Sequence, residues 1–435
     1  MKGRGHGLGS PAAIASAFAG VLVAGSPAVL SAADIDVAAG DGLAAAIAAA
    51  APGDRLLLAP GIHSGRIVVD RRLTIEGGRD AVIRGDGEGT VVVVEAPEAV
   101  LRGMTVTGSG LSLATIDSGI RLTQEAVGAV VEDVFLDDNL IGVHIEGAPD
   151  SVVRQNRIEG RRDLRMNERG NGVFVWNAPG AAVEGNDIRY GRDGILSTTS
   201  KRNLFKDNRF RDLRFAVHYM YTNDSTIEGN VSIGNHLGYA LMYSSRLRVL
   251  DNVSIGDREH GIMLNYANAS VIEGNLVEPD ARGAAPEKCV FIYNSNKNVF
   301  SGNRFEGCTI GVHFTAGSER NAMTENAFIG NETQVKYVGT RWLDWSADGR
   351  GNYWSDNPAF DLDGDGIADA PYRPNDMVDQ VLWRQPLAKL LLNSPALQVL
   401  RWTQGQFPGL TPGGVVDTAP LMRPPPLKVA KEVPS

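Results

Sequence analysis

An asparagine that returns about every twenty-two residues restricts this chain to a small set of folds. Asn156, Asn186, Asn208, Asn230, Asn252, Asn275, Asn303 and Asn326 each follow an apolar residue by two or three positions, and four successive spacings are 22, 22, 22 and 23. A fixed period of this length marks a solenoid, in which each coil buries its apolar side only by stacking on its neighbours. Leucine-rich repeats share the period but need a Leu-x-x-Leu-x-Leu spacing, which is absent here. These repeats alternate with period two and are rich in Val, Ile, Phe, Thr and Gly, as short strands between tight turns require. The expected fold is all-β, a right-handed parallel β-helix. Each marker Asn is expected to adopt the left-handed turn conformation and to bond to the Asn of the next coil.

Aligning the coils on that Asn sorts the side chains. Val153, Val183, Phe205, Ile227, Val249, Ile272, Phe300 and Met323 stand three positions before it, and Ile158, Ile188, Phe210, Ser232, Ser254, Val277, Phe305 and Phe328 two positions after, as core ladders. A third strand opens at a small residue (Gly142, Gly172, Gly194, Ala216, Gly238, Gly261, Cys289, Gly311), and the next residue points inward again. The alternate residues must then point outward. They form one column of His144, Phe174, Leu196, His218, Ala240, Met263, Phe291 and His313, and a second of Glu146, Trp176, Thr198, Met220, Met242, Asn265, Tyr293 and Thr315.

An outward surface of a soluble protein should be mostly charged and polar, yet these columns hold one carboxylate and no Lys or Arg. Coils stack roughly 4.8 Å apart, which puts His218, Met220, Met242 and Met263 on three adjacent coils. Thioether sulfur with imidazole is a soft donor set, suited to Cu(I) and poor for Mg, Ca or Mn. His236 and His260, in the preceding loops, are candidates for further ligands or for steps on a transfer route. Packing remains the other reading, since Met often fills gaps and apolar outward residues often mark docking patches. Tyr219, Tyr221, Tyr243 and Tyr266 lie alongside and fit either.

Residues 1–33 have the form of a cleavable signal peptide, with Lys2 and Arg4, an apolar stretch from Ile14 to Val23 and a small-residue end at Ser31, Ala32 and Ala33. No later apolar run approaches the length that spans a bilayer. Removing that segment takes the formal charge from -9 to -11, because it contains two Lys/Arg and no acid. Without a basic excess, nucleic acid is not an expected partner. Two cysteines cannot staple so long a chain, so its stability must come from a large core. In an oxidising compartment Cys289 and Cys308, on neighbouring coils, are expected to be bonded to each other rather than to copper.

Residues 34–345 are read as the β-helix, its N-terminal end plugged by a helix in the Ala-rich segment from Gly40 to Ala51. Residues 346–384 hold Asp361, Asp363, Asp365, Ile367 and Asp369, which with Gly366 match positions 1, 3, 5, 7 and 9 of an EF-hand-type loop, a pattern that wraps Ca2+. Tyr372 replaces the Glu of position 12, so an acidic turn with no ion stays open. Residues 385–435 give two helical pieces split at Pro395 and then Pro-rich chain. Leu390, Leu391, Leu400, Trp402 and Phe407 there are candidate apolar anchors for a membrane partner, with packing on the chain's own solenoid as the alternative.

The C-terminal motifs Gly351-Asn352-Tyr353-Trp354-Ser355-Asp356, the Asp361–Asp369 loop running into Ala370-Pro371-Tyr372, and Val416-Asp417-Thr418-Ala419-Pro420-Leu421-Met422 resemble the NosD family of periplasmic maturation factors. The resemblance covers nearly the whole chain. It implies a non-enzymatic accessory or metallochaperone role in denitrification: completing the copper-sulfur centre of nitrous oxide reductase, with Cu(I) as cargo. It also implies partners, namely an inner-membrane ABC transporter permease and ATPase, the apo-reductase, and a copper-donating lipoprotein. Two alternatives stand beside it. A carbohydrate-active β-helix enzyme would need facing carboxylates, and the outward columns offer Glu146 alone. Arg157, Arg189, Arg209, Arg211 and Arg304, with Glu159 and Glu306, look like a solvated face. A metal-free docking platform is the third reading.

Overall fold

The computed structural model describes residues 32–427, apart from 316, 338, 340, 376–377, 380–382, 384, 392–393 and 408–412. All but the last two residues of the expected signal peptide lie outside that range. The chain winds into a parallel β-solenoid of three sheets with 13, 13 and 12 strands. One coil shows the order. Val152–Arg154 joins the first sheet, Arg157–Glu159 the second and Val173–Trp176 the third, each pairing in parallel with the equivalent strands of the coils on either side.

Alternation places the core as the sequence predicts. Val153, Val183, Phe205, Ile227, Val249, Ile272 and Phe300 of the first sheet are fully buried, as are Ile188, Phe210, Val277, Phe305 and Phe328 of the second. In the third sheet the small residue has a steric cause: a Cβ on Gly142 would run into Ile158 and one on Gly194 into Phe210, both inward residues of the second sheet.

The Asn ladder forms, with a correction. Each Nδ2 donates to the Oδ1 of the next rung at 2.8 to 3.0 Å, in an unbroken series from Asn156 through Asn186, Asn208, Asn230, Asn252, Asn275, Asn303 and Asn326. The series goes on to Asn352, which the fading repeat had concealed. The left-handed residue is not the Asn but the one before it: Gln155, Gly185, Asp207, Gly229, Asp251, Gly274, Gly302 and Glu325 all have positive φ. The preceding residue makes the bend, and the bend turns the amide into the core. There Nδ2 also donates to a carbonyl of the coil below, as Asn208 does to Val183 at 2.7 Å.

Both ends of the solenoid are closed. Helix Leu43–Ala49 buries Leu43 and Ile47 at the first coil. At the other end Gly414–Val416 pairs in parallel with Trp342–Asp344, and the buried Asp417 accepts hydrogen bonds from the Asn352 backbone at 2.7 Å and the Trp354 indole at 2.8 Å. A Cβ on Gly351 would collide with the same carboxylate, which accounts for the Gly351-Asn352-Tyr353-Trp354 motif. Among the described residues, no helix is long and apolar enough to cross a membrane.

Candidate functional site

The register of the third sheet places the outward columns as aligned. The first runs Leu196, His218, Ala240, Met263, Phe291, His313. In the second, Met220 stands directly beside Met242, and Met242 beside Asn265. Ala240 separates His218 from Met263, and its methyl is 0% exposed although it faces outward. The larger side chains around it therefore close over it.

His218 is held by a buried carboxylate. Its Nδ1 lies 3.1 Å from Asp193 Oδ2, and Asp193 is also gripped by Arg214 Nε and Nη2 at 2.8 and 2.6 Å. Burial pulls the Asp193 carboxyl upward, but the hydrogen bonds from His218 and Arg214 outweigh it and hold the group below the usual carboxylate range. An ionised Asp193 accepts a hydrogen bond from Nδ1–H, which leaves the lone pair on Nε2. That Nε2 is buried and has no hydrogen-bond partner. An imidazole oriented by a carboxylate, with its other nitrogen free, is the usual arrangement of a metal-binding His. Phe215 supports the ring edge-on at 5.1 Å. Sequence reasoning missed Asp193 and Arg214, because a charged residue at the start of a strand or just before one reads as an ordinary turn residue.

The flanking residues separate into two groups. Tyr219, grouped above with the outward tyrosines, is fully buried: it points into the core and meets Phe205 edge-on at 5.2 Å. Tyr221, Tyr243 and Tyr266 are exposed and stack face to face at 5.3 and 5.2 Å. His144 and His313 lie further along the first column, and burial pushes both imidazoles down to about 4.

His236 and His260 meet around Glu259 instead. His236 Nε2 is 2.9 Å from one carboxylate oxygen, and His260 Nε2 is 3.6 Å from the other. Cys289 and Cys308 are joined by a disulfide, so neither sulfur is available to a metal. In the acidic loop, Asp361, Asp363 and Asp365 bring donor oxygens within 4.8 Å of one another. Asp369, outside that group, accepts the Leu362 N–H at 2.7 Å, and the Ile367 backbone bridges to Leu421. Of the expected anchors, Leu390, Trp402 and Phe407 are 87%, 65% and 59% exposed. Leu400 is half-buried on helix Pro395–Gln406, and the Leu391 side chain lies outside the described set. On the second sheet, Arg157 pairs with Glu159 at 2.6 Å and Arg189 with Asp187 at 2.9 Å.

Residues 154–359 match the family described as periplasmic copper-binding protein (NosD). Two relatives, each described as a probable ABC transporter binding protein NosD, are similar over most of their length. The one from Stutzerimonas stutzeri is 39% identical over 388 residues, 87% of this chain and 89% of the relative. The one from Pseudomonas aeruginosa is 40% identical over 384 residues, 86% and 90%. Among solved structures, the A-module of a mannuronan C-5 epimerase from Azotobacter vinelandii superposes with a TM-score of 0.54 at 17% identity, covering 69% of this chain and 93% of the module. That likeness shows the fold alone.

Proposed function

The chain belongs to the NosD family of periplasmic copper-binding proteins, and from that membership we propose that it carries Cu(I) on His218, Met220, Met242 and Met263. In this reading the ion is cargo. It is received on the outward face of the third sheet and passed on while the copper-sulfur centre of nitrous oxide reductase is assembled, with the help of an ABC transporter.

The observation that carries the reading is the buried, unpartnered Nε2 of His218, oriented from behind by Asp193 and set beside the Met220–Met242 neighbour pair. Three thioethers and one imidazole favour a soft monovalent ion and disfavour Ca2+ or Mg2+. The protein's own part is to hold the imidazole in one tautomer and to present half-buried, flexible Met side chains that can change partners during transfer. His236, just before the strand Leu237–Met242, and His260, at the start of His260–Asn265, would be further ligands or steps on a transfer route.

The test is an anaerobic Cu(I) competition titration on the Met220→Leu/Met242→Leu double variant. Size and apolarity are kept, so folding should be nearly unchanged. Affinity should fall by at least tenfold, about 1.4 kcal/mol. Unchanged affinity would move the site elsewhere and leave the groove methionines as packing.

The transporter role draws on the names of the two relatives and on the exposed anchors of the tail. A carbohydrate enzyme has the fold in its favour and little in the groove, where Glu146 is drawn to Arg121 at 2.6 Å and Asp193 is shut away beneath His218 and Arg214. The exposed tyrosine stack favours a docking platform as the second reading. A structural Ca2+ at Asp361, Asp363 and Asp365, with the Ile367 carbonyl, is supported by the convergence of their oxygens. A chelator should then lower the melting temperature, and no shift would remove the ion.

A further inference from the structure

The two longest rungs of the Asn ladder span 30 residues, from Asn156 to Asn186, and 28, from Asn275 to Asn303, against 22 in the coils that follow Asn186. Both insertions fall at the same corner, between the second and third sheets. There Glu159 ends one strand and Val173 begins the next, and Glu278 is followed by Lys288, where a regular coil passes from Arg211 to Phe215. In a solenoid such insertions tend to gather on the binding face. Here they stand as two walls. Tyr190, Asp212, Gly234 and Gly256, each the first residue after its second-sheet strand, form the floor between them, and the cleft so enclosed measures about 510 Å3.

We propose that this cleft takes an extended acidic segment of a partner protein, laid along the solenoid axis. Arg162, Arg169, Arg258 and Arg282 line it, with Asp212 and Asp280 as its acids. Arg169 braces its own loop, donating to the Leu164 carbonyl at 2.9 Å. The Arg162 guanidinium, drawn to Glu159, lies 4.0 Å over the Tyr190 ring. Tyr190 has a φ of 61°, in a left-handed corner that the next coils fill with Asp212, Gly234 and Gly256. A bulky side chain is a poor occupant of that conformation, and the platform it gives Arg162 accounts for its presence. Arg258 is exposed and has no ion-pair partner among the described residues, and Arg282, beside Asp280 at 3.1 Å, is 91% exposed at its side chain. Charge narrows the choice of occupant. Between Arg154 and Arg214 the chain carries fourteen Lys or Arg against eight Asp or Glu, while over its whole length acids outnumber bases 51 to 42. An acidic partner is therefore repelled by most of the molecule and drawn to this corner, which fixes where it lands. Four corners roughly 4.8 Å apart give a floor about 14 Å long, the reach of about four extended residues. A contact of that size suits a transient complex.

The experiment follows the fluorescence anisotropy of labelled hexaglutamate added to the full chain. Saturable binding that weakens with added salt is expected. Arg258→Gln/Arg282→Gln changes two exposed side chains and should weaken it about tenfold or more. Lys201→Gln/Arg202→Gln removes the same charge at a different corner and should leave it unchanged. Tyr190→Asn keeps a residue that tolerates the left-handed turn but withdraws the support of Arg162, so hexaglutamate should bind about threefold more weakly with no loss of melting temperature. Cu(I) affinity should be unaltered in the arginine variant, and Met220→Leu/Met242→Leu should bind hexaglutamate like the parent, so the cleft and the copper site succeed or fail separately. Equal losses in the two charge variants would reduce the effect to net charge and overturn the proposal. So would displacement of the peptide by free glutamate at the same concentration, which would mean a pocket for one anion, or binding of phosphatidylglycerol vesicles by a chain that ignores hexaglutamate, which would mean a membrane surface.

Discussion

Asp257 shows what a single ionisable side chain costs inside a β-helix. It is 0% exposed, accepts the Asn235 N–H at 2.8 Å and the Ser254 hydroxyl at 2.7 Å, and burial pushes its carboxyl up to about 6 from an ordinary 3.8. Between those values the folded protein binds more protons than the unfolded one, so stability falls as pH rises through the window. At neutral pH a shift of this size amounts to about 3 kcal/mol. Asp257→Asn keeps an acceptor for Asn235 and removes the charge. Its melting temperature should exceed the parent's at pH 7.5, and the gap should vanish near pH 4, as thermal scans across that range would show. His144 runs the other way: its folded value of about 4 lies below the ordinary 6.5, so its contribution is present above 6.5 and is lost as pH falls through that interval. Sequence patterning could reach some of these residues and not others. Period-two alternation placed the groove columns, because it depends only on neighbours along a strand. It could not place Asp193, whose bonds to His218 and to Arg214 join different coils across 25 and 21 residues.

At the level of elements, the Asn ladder is the least replaceable part. Asn252 supplies the acceptor for the backbone and side-chain N–H groups of Asn230 and donates to the Ile227 carbonyl and to Asn275. Asn252→Ala would strand several buried polar groups at about 1–3 kcal/mol each. Urea denaturation should therefore show a loss of at least about 3 kcal/mol, and a loss under about 1 would mean that water replaces the amide. The repeat announced this ladder, but only the backbone shows that the preceding residue makes the bend. The C-terminal tail divides in two. Its end is part of the fold through Asp417, whereas helix Pro395–Gln406 and Phe407 expose apolar side chains. The expected anchors, Leu390, Leu391, Leu400, Trp402 and Phe407, all precede that end, so the proposed handle is confined to residues 386–407. Trp402→Ala/Phe407→Ala should end copurification with a membrane transporter and leave the melting temperature unchanged. Asp417→Ala should do the reverse. Retained copurification in the first variant would remove the handle.

For the whole molecule, the solenoid brings together residues that the sequence keeps apart. Stacked coils turn residues far apart in sequence into adjacent donors at a fixed rise, and sheet register sets which donors meet. The fold group was legible from the Asn period and the family from the motifs around Gly351 and Asp417, because both are local patterns. Which donors belong together was not, since that depends on contacts between coils: His236 and His260 turned toward Glu259, and Tyr219 turned into the core. The central claim is that the outward His and Met of the third sheet form one soft-metal site. X-ray absorption at the copper edge, on protein loaded anaerobically with one equivalent of Cu(I), tests it most directly. The account predicts a first shell dominated by thioether sulfur with a single imidazole nitrogen, losing sulfur in Met220→Leu/Met242→Leu. A shell of nitrogen and oxygen only, or a sulfur shell unchanged in that variant, would contradict it.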